Sequence, residues 1–323
     1  MRNILITCAG RRVSLLKSFE TEVQNLGLDS QVYAADMTPD LSSACQVARK
    51  FFKISSVINE FYIEELISIV KENNIGILIP TIDTELEILA NNRNLFSENN
   101  CSIILSDIEF IKNCNDKRKT QKLFYNLNFD TPKVFTPDRL IYPLFIKPFD
   151  GSRTIDTHIV LSEDEINKEY LSNPKYIFQE YINQENYYEI TVDVYYDRHS
   201  ILKCIIPRKR LEVRDGEVSK GLTIMPIYFD KLLDNLSKVK GAKGCINVQF
   251  LVKAGSEDRI LGIEINPRFG GGFPLSYAAG GNFPKWILME YMLNMEVDYF
   301  GKWQQNMLML RYDEAVFIND YKG

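Results

Sequence analysis

The stretch LGIEINPRFGGGFPLS, Leu261 to Ser276, sets a carboxylate (Glu264), an amide (Asn266) and a guanidinium (Arg268) close together, then follows them with three glycines. In an extended strand alternate side chains share a face, so Glu264 and Asn266 point one way while Leu261, Ile263 and Ile265 point toward a core. The preceding run CINVQFLV puts Asn247 and Gln249 on one face by the same rule. If the two runs form a hairpin that closes around Gly255 to Asp258, Gln249 falls opposite Glu264 or next to it, with Cβ atoms about 4.5–5.5 Å apart. Gln249, Glu264 and Asn266 then make a hard-oxygen set of the kind Mg²⁺ accepts while it also holds substrate phosphates. Arg268 can reach an anion beside the metal, and Gly270, Gly271 and Gly272 let backbone approach a ligand. The alternative is a solvated polar face on a half-buried hairpin.

Phosphates at such a station need further cations. The run LFIKPFDGSRT supplies Lys147 inside an apolar strand, followed by Gly151, Ser152 and Arg153, a turn able to offer successive N–H groups to an anion. Lys117, in NDKRKT, opens a helical pattern whose N-terminal dipole also favours anions; alone, it reads equally as a surface lysine. The Walker pattern of a P-loop does not occur. FQEYI surrounds Glu180 with apolar residues in a segment whose backbone can meet an adenine edge. YEITVDV places Glu189, Thr191 and Asp193 on one strand face, with Glu189 positioned to accept ribose hydroxyls; Glu180 and Asp193 read equally as structural residues.

The elements that must position these groups fall into two sets. Up to about Asp107 apolar strands alternate with helical spacing (NILIT, VSLLKSFETEVQNL, QVYAAD, FYIEELISIVKENN, IGILIPT, TELEILANNRNLF, SIILSD), which predicts a parallel, doubly wound sheet. From NDKRKTQKLFYNL onward, strands, loops and a hairpin dominate, and SEDE (Ser162, Glu165) predicts a capping box that opens a helix. The 323 residues suffice for two or three units, and a boundary near residue 112 divides them most economically. A net charge of -5 argues against nucleic acid or anionic membrane as a partner. No signal-peptide pattern opens the chain and no apolar run is long enough to span a bilayer. The six cysteines are scattered and only two histidines are present, so a zinc site is not expected. A cytoplasmic protein with reduced, mostly buried thiols is the expectation.

In order, Lys117, Lys147-Pro-x-x-Gly-Ser, Gln-Glu-Tyr-Ile, Glu-x-Thr-Val-Asp, Asn-Val-Gln-Phe and Glu-Ile-Asn-Pro-Arg resemble the ATP-grasp superfamily, most closely the ATP-binding units of the carbamoyl-phosphate synthase large chain. The resemblance implies an α/β and α+β chain. A Rossmann-like pre-ATP-grasp domain (1–112) precedes an ATP-grasp domain (113–323), whose subdomains, 113–187 and 188–323, clasp ATP. It further implies that Lys117 and Lys147 bind phosphates and that Gly151, Ser152, Arg153 and Thr154 belong to a loop closing over them. Backbone from Glu180 through Tyr181 to Ile182 would hold adenine, and Glu189 the ribose. Gln249, Glu264 and Asn266 would bind Mg²⁺ (or Mn²⁺), and Arg268 would stabilise the transferring phosphate. The implied activity is an ATP-dependent carboxylate–amine or carboxylate–ammonia ligase working through an acyl-phosphate, with small-molecule substrates and a homodimer common among its members. The chain is far shorter than a whole carbamoyl-phosphate synthase and carries one set of motifs, so a regulatory or partner-dependent ATP-binding module is the alternative.

Two segments fall outside those motifs. PRKRLEVRDGEVSKGLT, Pro207 to Thr223, concentrates basic residues without interleaved aromatics. We expect Arg210 and Lys220 to gather anions at the active site, the substrate carboxylate and the γ-phosphate; a solvated charged hairpin is the other reading. In TCAGRRVS, followed by Asp36, one glycine stands where a dinucleotide fingerprint wants three, which leaves an NAD(P)-dependent oxidoreductase as a third alternative. Thr81, Asp83 and Glu85 follow a strand at the end where open sheets bind ligands. Asp83 is expected to cap its helix.

Overall fold

The computed structural model describes residues 2–151, 156–214, 217–255, 259–319 and 321. The apolar run after the N-terminus forms β1 (Asn3–Ile6), whose Ile4, Leu5 and Ile6 are fully buried, as a strand covered on both faces must be. It is followed by α1 (Val13–Asn25), β2 (Val32–Asp36), α2 (Ser43–Val47), β3 (Phe51–Lys53), α3 (Tyr62–Glu72), β4 (Ile75–Ile79), α4 (Asp83–Asn91), α5 (Arg93–Glu98) and β5 (Ser102–Ile103). The strands pair in parallel in the order β3-β2-β1-β4-β5. The winding therefore reverses between β1 and β4, and the loops leaving those two strands flank the crevice that such reversals create.

Helices α6 (Ile108–Asn115) and α7 (Lys117–Asn126) come next, α6 running across residue 112. The strands β6 (Val134–Phe135), β7 (Leu144–Pro148) and β8 (His158–Val160), then α8 (Lys168–Ser172) and β9 (Tyr176–Glu180), build a small antiparallel sheet ordered β6-β9-β7-β8. The expected capping box does not open α8. Ser162 caps nothing, Glu165 turns back to accept from the Leu161 N–H at 2.8 Å, and Asn167 caps the helix instead.

The larger sheet contains β10 (Tyr187–Tyr196), β11 (Leu202–Arg214), β12 (Glu217–Thr223), β13 (Gly244–Lys253), β14 (Ile260–Asn266) and β15 (Leu308–Leu310). Among them lie α9 (Phe229–Leu236), α10 (Phe273–Ala278) and α11 (Phe283–Tyr291). Its order is β14-β13-β10-β11-β12-β15, all antiparallel. The described residues of the basic segment from Pro207 to Thr223 are thus mostly paired strand. No helix of the described residues is long and apolar enough to cross a membrane. All six cysteines are free, and five are buried.

Packing explains how these parts are held. One face of the large sheet (Ile190, Val192, Val194, Ile246, Val248, Phe250) covers α6, α7 and α9. A second core is continuous from the first unit to the last helices: Ile4, Leu16 and Phe19 share it with Tyr195, Cys245, Phe273, Phe283 and Trp286. Phe19 of α1 meets Phe269 edge-on at 6.1 Å, and Tyr277 donates to Glu22 at 2.6 Å. The small sheet has its own core of Leu144, Ile146, Val160 and Phe178.

Strict alternation in β14 fails at one point. The register places Glu264 opposite Gln249 but Gly262 opposite Phe250, so a bulge intervenes at Ile263. Ile260 and Ile265 consequently enter the core under the sheet and Leu261, opposite Leu251, is fully buried, whereas Ile263 is only half-buried. The bulge sets Gly262 against the Phe124 ring, where an added Cβ would stand 2.4 Å from ring carbons. Phe124 is fully buried and cannot give way. Gly262→Ala is expected to destabilise the fold by about 1–3 kcal/mol, read as a lowered urea midpoint.

Candidate functional site

The face of the large sheet opposite α7 is polar, and its register brings the expected oxygen donors into rows. Gln249 pairs with Glu264 and, on its other side, with Thr191; Asn247 lies between Asn266 and Asp193. Arg208 is the neighbour of Thr191 on β11. Gln249 and Glu264 are half-buried, and Asn266 is 6% exposed.

At one end of these rows the polar groups close on one another. The Asp193 carboxylate, with no exposure, accepts from Arg208 Nε at 2.8 Å and Nη2 at 3.2 Å, from Asn247 Nδ2 at 2.6 Å and from Ser276 Oγ at 2.6 Å. This network accounts for two of the three glycines, Gly270 and Gly272, and Glu217 for the third. A Cβ on Gly272 would stand 2.2 Å from Arg208 Nη1, one on Gly270 2.6 Å from Asn247 Nδ2, and one on Gly271 2.1 Å from Glu217 Oε2. The bare backbone admits the protein's own side chains. Breaking one partner of a buried pair strands the other charge, which costs about 3–5 kcal/mol. Arg208→Met is therefore expected to lower unfolding stability by that amount, measured by urea denaturation.

Two lysines converge from separate elements. The first amide of α7, Lys117 N–H, donates to Phe149 O at 2.9 Å, and Lys117 Nζ donates to Gly151 O, fixing the helix start against the end of β7. Lys147, on β7, lies with its Nζ 5.8 Å from the Phe145 ring centre. Its pKa falls to about 8, first because burial disfavours its charge, then because Lys117 repels it; Glu264 on the large sheet opposes the shift. Lys147 thus shares one electrostatic neighbourhood with Lys117 and Glu264, and two cations there face one carboxylate.

Arg268 is held from the other unit. Its Nε and Nη2 donate to Asp83 Oδ2 at 3.1 and 2.6 Å, and Nη2 also reaches Asn266 Oδ1 at 3.1 Å. Asp83 does not cap α4. That part is taken by Glu85, fully buried, which accepts from Thr81 N–H (2.8 Å), Ile82 N–H (3.2 Å), Thr7 Oγ1 (2.8 Å) and Tyr62 OH (2.8 Å). These bonds make the loop after β4 rigid and aim Asp83 at Arg268. The signal in the sequence was the position of Asp83 just beyond a parallel strand.

The register thus gathers the oxygen donors on one face of the large sheet, and Glu264 of that face acts electrostatically on Lys147, which lies beside Lys117. A family model for the PylC-like N-terminal domain matches residues 4–104, and one described as ATP-grasp in the biosynthetic pathway with Ter operon matches residues 172–315. Residues 172–315 are an ATP-grasp region. Solved structures share its fold. The biotin carboxylase domain dimer of Hydrogenobacter thermophilus 2-oxoglutarate carboxylase, in complex with MgADP, ADP and bicarbonate, is 15% identical with a TM-score of 0.72, over 95% of this chain and 73% of that one. The L-amino acid ligase of Bacillus licheniformis is 15% identical with a TM-score of 0.65, over 90% and 74%. Rhizobium etli pyruvate carboxylase is 14% identical with a TM-score of 0.65 over 87% of this chain, which spans 27% of that protein's length. Comparison with curated proteins gives no match.

The remaining expected residues fall as follows. The N–H groups of Glu180 and Tyr181 are engaged by Lys133 O (2.8 Å) and Pro143 O (3.3 Å), and among the described residues nothing in the chain takes the Ile182 N–H. The Glu180 carboxylate is held by Arg259 Nη2 at 2.8 and 3.1 Å. Glu189 accepts from Arg210 at 2.6 Å, so a ribose would have to share that carboxylate. Lys220 donates across its hairpin to Glu212 at 2.5 Å. Gly151 packs on Pro148, while Ser152, Arg153 and Thr154 lie outside the described residues. The Asp36 carboxylate, the dinucleotide hook of the oxidoreductase alternative, accepts from Gly10 and Thr38 N–H at 2.8 and 3.1 Å.

The donor set fits a divalent cation that arrives with phosphates. Gln249, Glu264 and Asn266 supply one carboxylate and two amide oxygens, and Asn266 Oδ1 retains a lone pair beyond its bond from Arg268. Among the described residues no group of three or more His, Cys, Asp or Glu makes a cage on its own. The depressed pKa of Lys147 sets a pH dependence. An anion bound beside Lys147 would draw a proton onto it; above about pH 8 that proton must be taken from solvent and affinity would fall. Nucleotide affinity is expected to weaken between pH 7 and pH 9, by up to about tenfold per pH unit above the pKa. Titration calorimetry in buffers of different ionisation enthalpy will show proton uptake, and Lys147→Arg will flatten the profile.

Proposed function

We propose that the chain is an ATP- and Mg²⁺-dependent ligase that joins a small-molecule carboxylate to an amine or ammonia through an acyl-phosphate. The observation that carries this reading is the convergence of Lys117 and Lys147 at the end of β7, two cations with Glu264 as the one carboxylate acting on Lys147 among the described residues, and Glu264 paired with Gln249 beside Asn266. Two lysines forced together in a half-buried place are disfavoured until a polyanion joins them, and a triphosphate supplies that charge. Gln249, Glu264 and Asn266 would hold the magnesium ion, which when bound offsets the negative charge of the phosphate oxygens.

The chain's own residues then have little covalent work. A carboxylate oxygen attacks the γ-phosphorus, the bond to the β–γ bridging oxygen breaks, and ADP departs. The amine nitrogen next attacks the acyl carbon, phosphate leaves with the carbon–oxygen electron pair, and the nitrogen gives up a proton. Lys117 and Lys147 orient the phosphates, and Arg268, held rigid by Asp83 and Asn266, meets the charge on the transferring group.

Release of ADP from ATP, assayed against a panel of amino and hydroxy acids with amines, is the test. Turnover with an acid–amine pair is expected, and Lys147→Met and Glu264→Gln should each lower kcat/KM by roughly 10²–10³-fold. Tight Mg·ATP binding with no turnover for any pair would favour a regulatory nucleotide-binding module instead.

A further inference from the structure

The arginine pair in TCAGRRVS has no part in the nucleotide site, yet Arg12 stands at the most ligand-prone position of the first sheet. It leaves β1 at the winding reversal, directly across from the loop after β4 that carries Asp83. The turn bearing it is fixed: Gly10 N–H donates to Asp36 at 2.8 Å, Ala44 N–H to Gly10 O at 3.0 Å and Arg12 N–H to Ala9 O at 2.8 Å. The side chain is only 20% exposed, and its ion-pair partner Glu217 stands 3.9 Å away, too far for a hydrogen bond. Among the described residues the Arg12 guanidinium donates no hydrogen bond, although a guanidinium has five N–H groups to place.

Its charged surroundings come from both units, Asp83 from the first and Glu217, Arg268 and Arg311 from the second. Glu217, on β12, accepts from Arg311 at 3.1 Å, and Arg311 donates to Gly271 O at 2.6 Å, so both are seated on the loop that also carries Arg268. Burial, with repulsion by Arg268 and Arg311, lowers the Arg12 pKa against the opposing pull of Glu217 and Asp83, so two carboxylates are shared among three guanidiniums there. Arg268 and Arg311 are already anchored by carboxylates; Arg12 is the one whose fork is open.

We propose that Arg12 anchors an anionic group of the acceptor substrate in the crevice between β1 and β4, and that this substrate therefore carries two anionic groups, one presented beside Arg268 for phosphorylation and a second bound by Arg12. The inference rests on the ligase reading and deepens it by naming the substrate class: a small dicarboxylate or a phosphorylated carboxylic acid. A planar guanidinium takes either anion by two parallel N–H bonds.

The full chain, saturated with Mg·ADP, is titrated by calorimetry with propionate, succinate and 3-phosphonopropionate. The two dianions are expected to bind more tightly than propionate, and the better of them identifies the second group as carboxylate or phosphonate. Arg12→Gln should weaken the better dianion by roughly tenfold to a hundredfold while leaving propionate and Mg·ADP affinity unchanged. Arg12→Lys, which keeps charge without the fork, should fall between; unchanged Mg·ADP affinity in both variants certifies that they are folded. Dianions that bind no better than propionate, or equally well to Arg12→Gln, overturn the proposal. Wild-type protein that binds no Mg·ADP overturns the nucleotide reading itself, a separate result.

Discussion

A carboxylate with no access to water, Asp193, is the constraint around which the grasp unit is arranged. Its ionised form is tolerable only because Arg208, Asn247 and Ser276 together satisfy it, and these come from three different elements. The requirement fixes β10, β11 and β13 against the start of α10. It also dictates the glycines of the intervening loop, since any side chain at Gly270 or Gly272 would displace a member of the network. Arg268 leaves the end of β14 in the direction that this loop imposes.

Against that closed network the open charges become meaningful. Arg208, Arg210, Arg259 and Arg268 each face a carboxylate within hydrogen-bond reach. Lys117 and Lys147 instead repel one another, and Arg12 has only a distant partner. Beside these four arginines, Arg12 is distinguished by a carboxylate partner beyond hydrogen-bond reach, which leaves its fork open to an anion. The chain's overall negative charge makes such positive places local rather than general, which suits small anions better than polymers.

What the sequence disclosed follows from the range of the forces involved. The Gln249–Glu264 register was legible because a period of two needs only neighbouring residues, and Lys147 stood out because a lysine inside an apolar strand is unusual. The bulge at Ile263 was hidden, since it answers to Phe124, a ring on a distant helix. The strands around Arg208 and Arg210 were masked by their charge: one arginine lies in the interior and the other is drawn to Glu189. Three glycines announce close approach but not by what, and here the visitor is a side chain of the same chain. Asp83 suits a cap chemically, and its actual partner lies at a separation of 185 positions, beyond the reach of local pattern.

The interior shared by α1, α10 and α11 bears on how this architecture can be varied. Phe19 supports Phe269, the neighbour of Arg268, and Glu22 takes the Tyr277 hydroxyl, so the aim of a guanidinium in the second half depends on the face of the first helix. The front unit and the clasp are accordingly not exchangeable modules: a front unit grafted from another chain would need to bring the same apolar ridge, an acid where Asp83 stands and an acceptor where Glu22 stands. Substitutions along that ridge would shift the seat of Arg268 without touching a single motif residue.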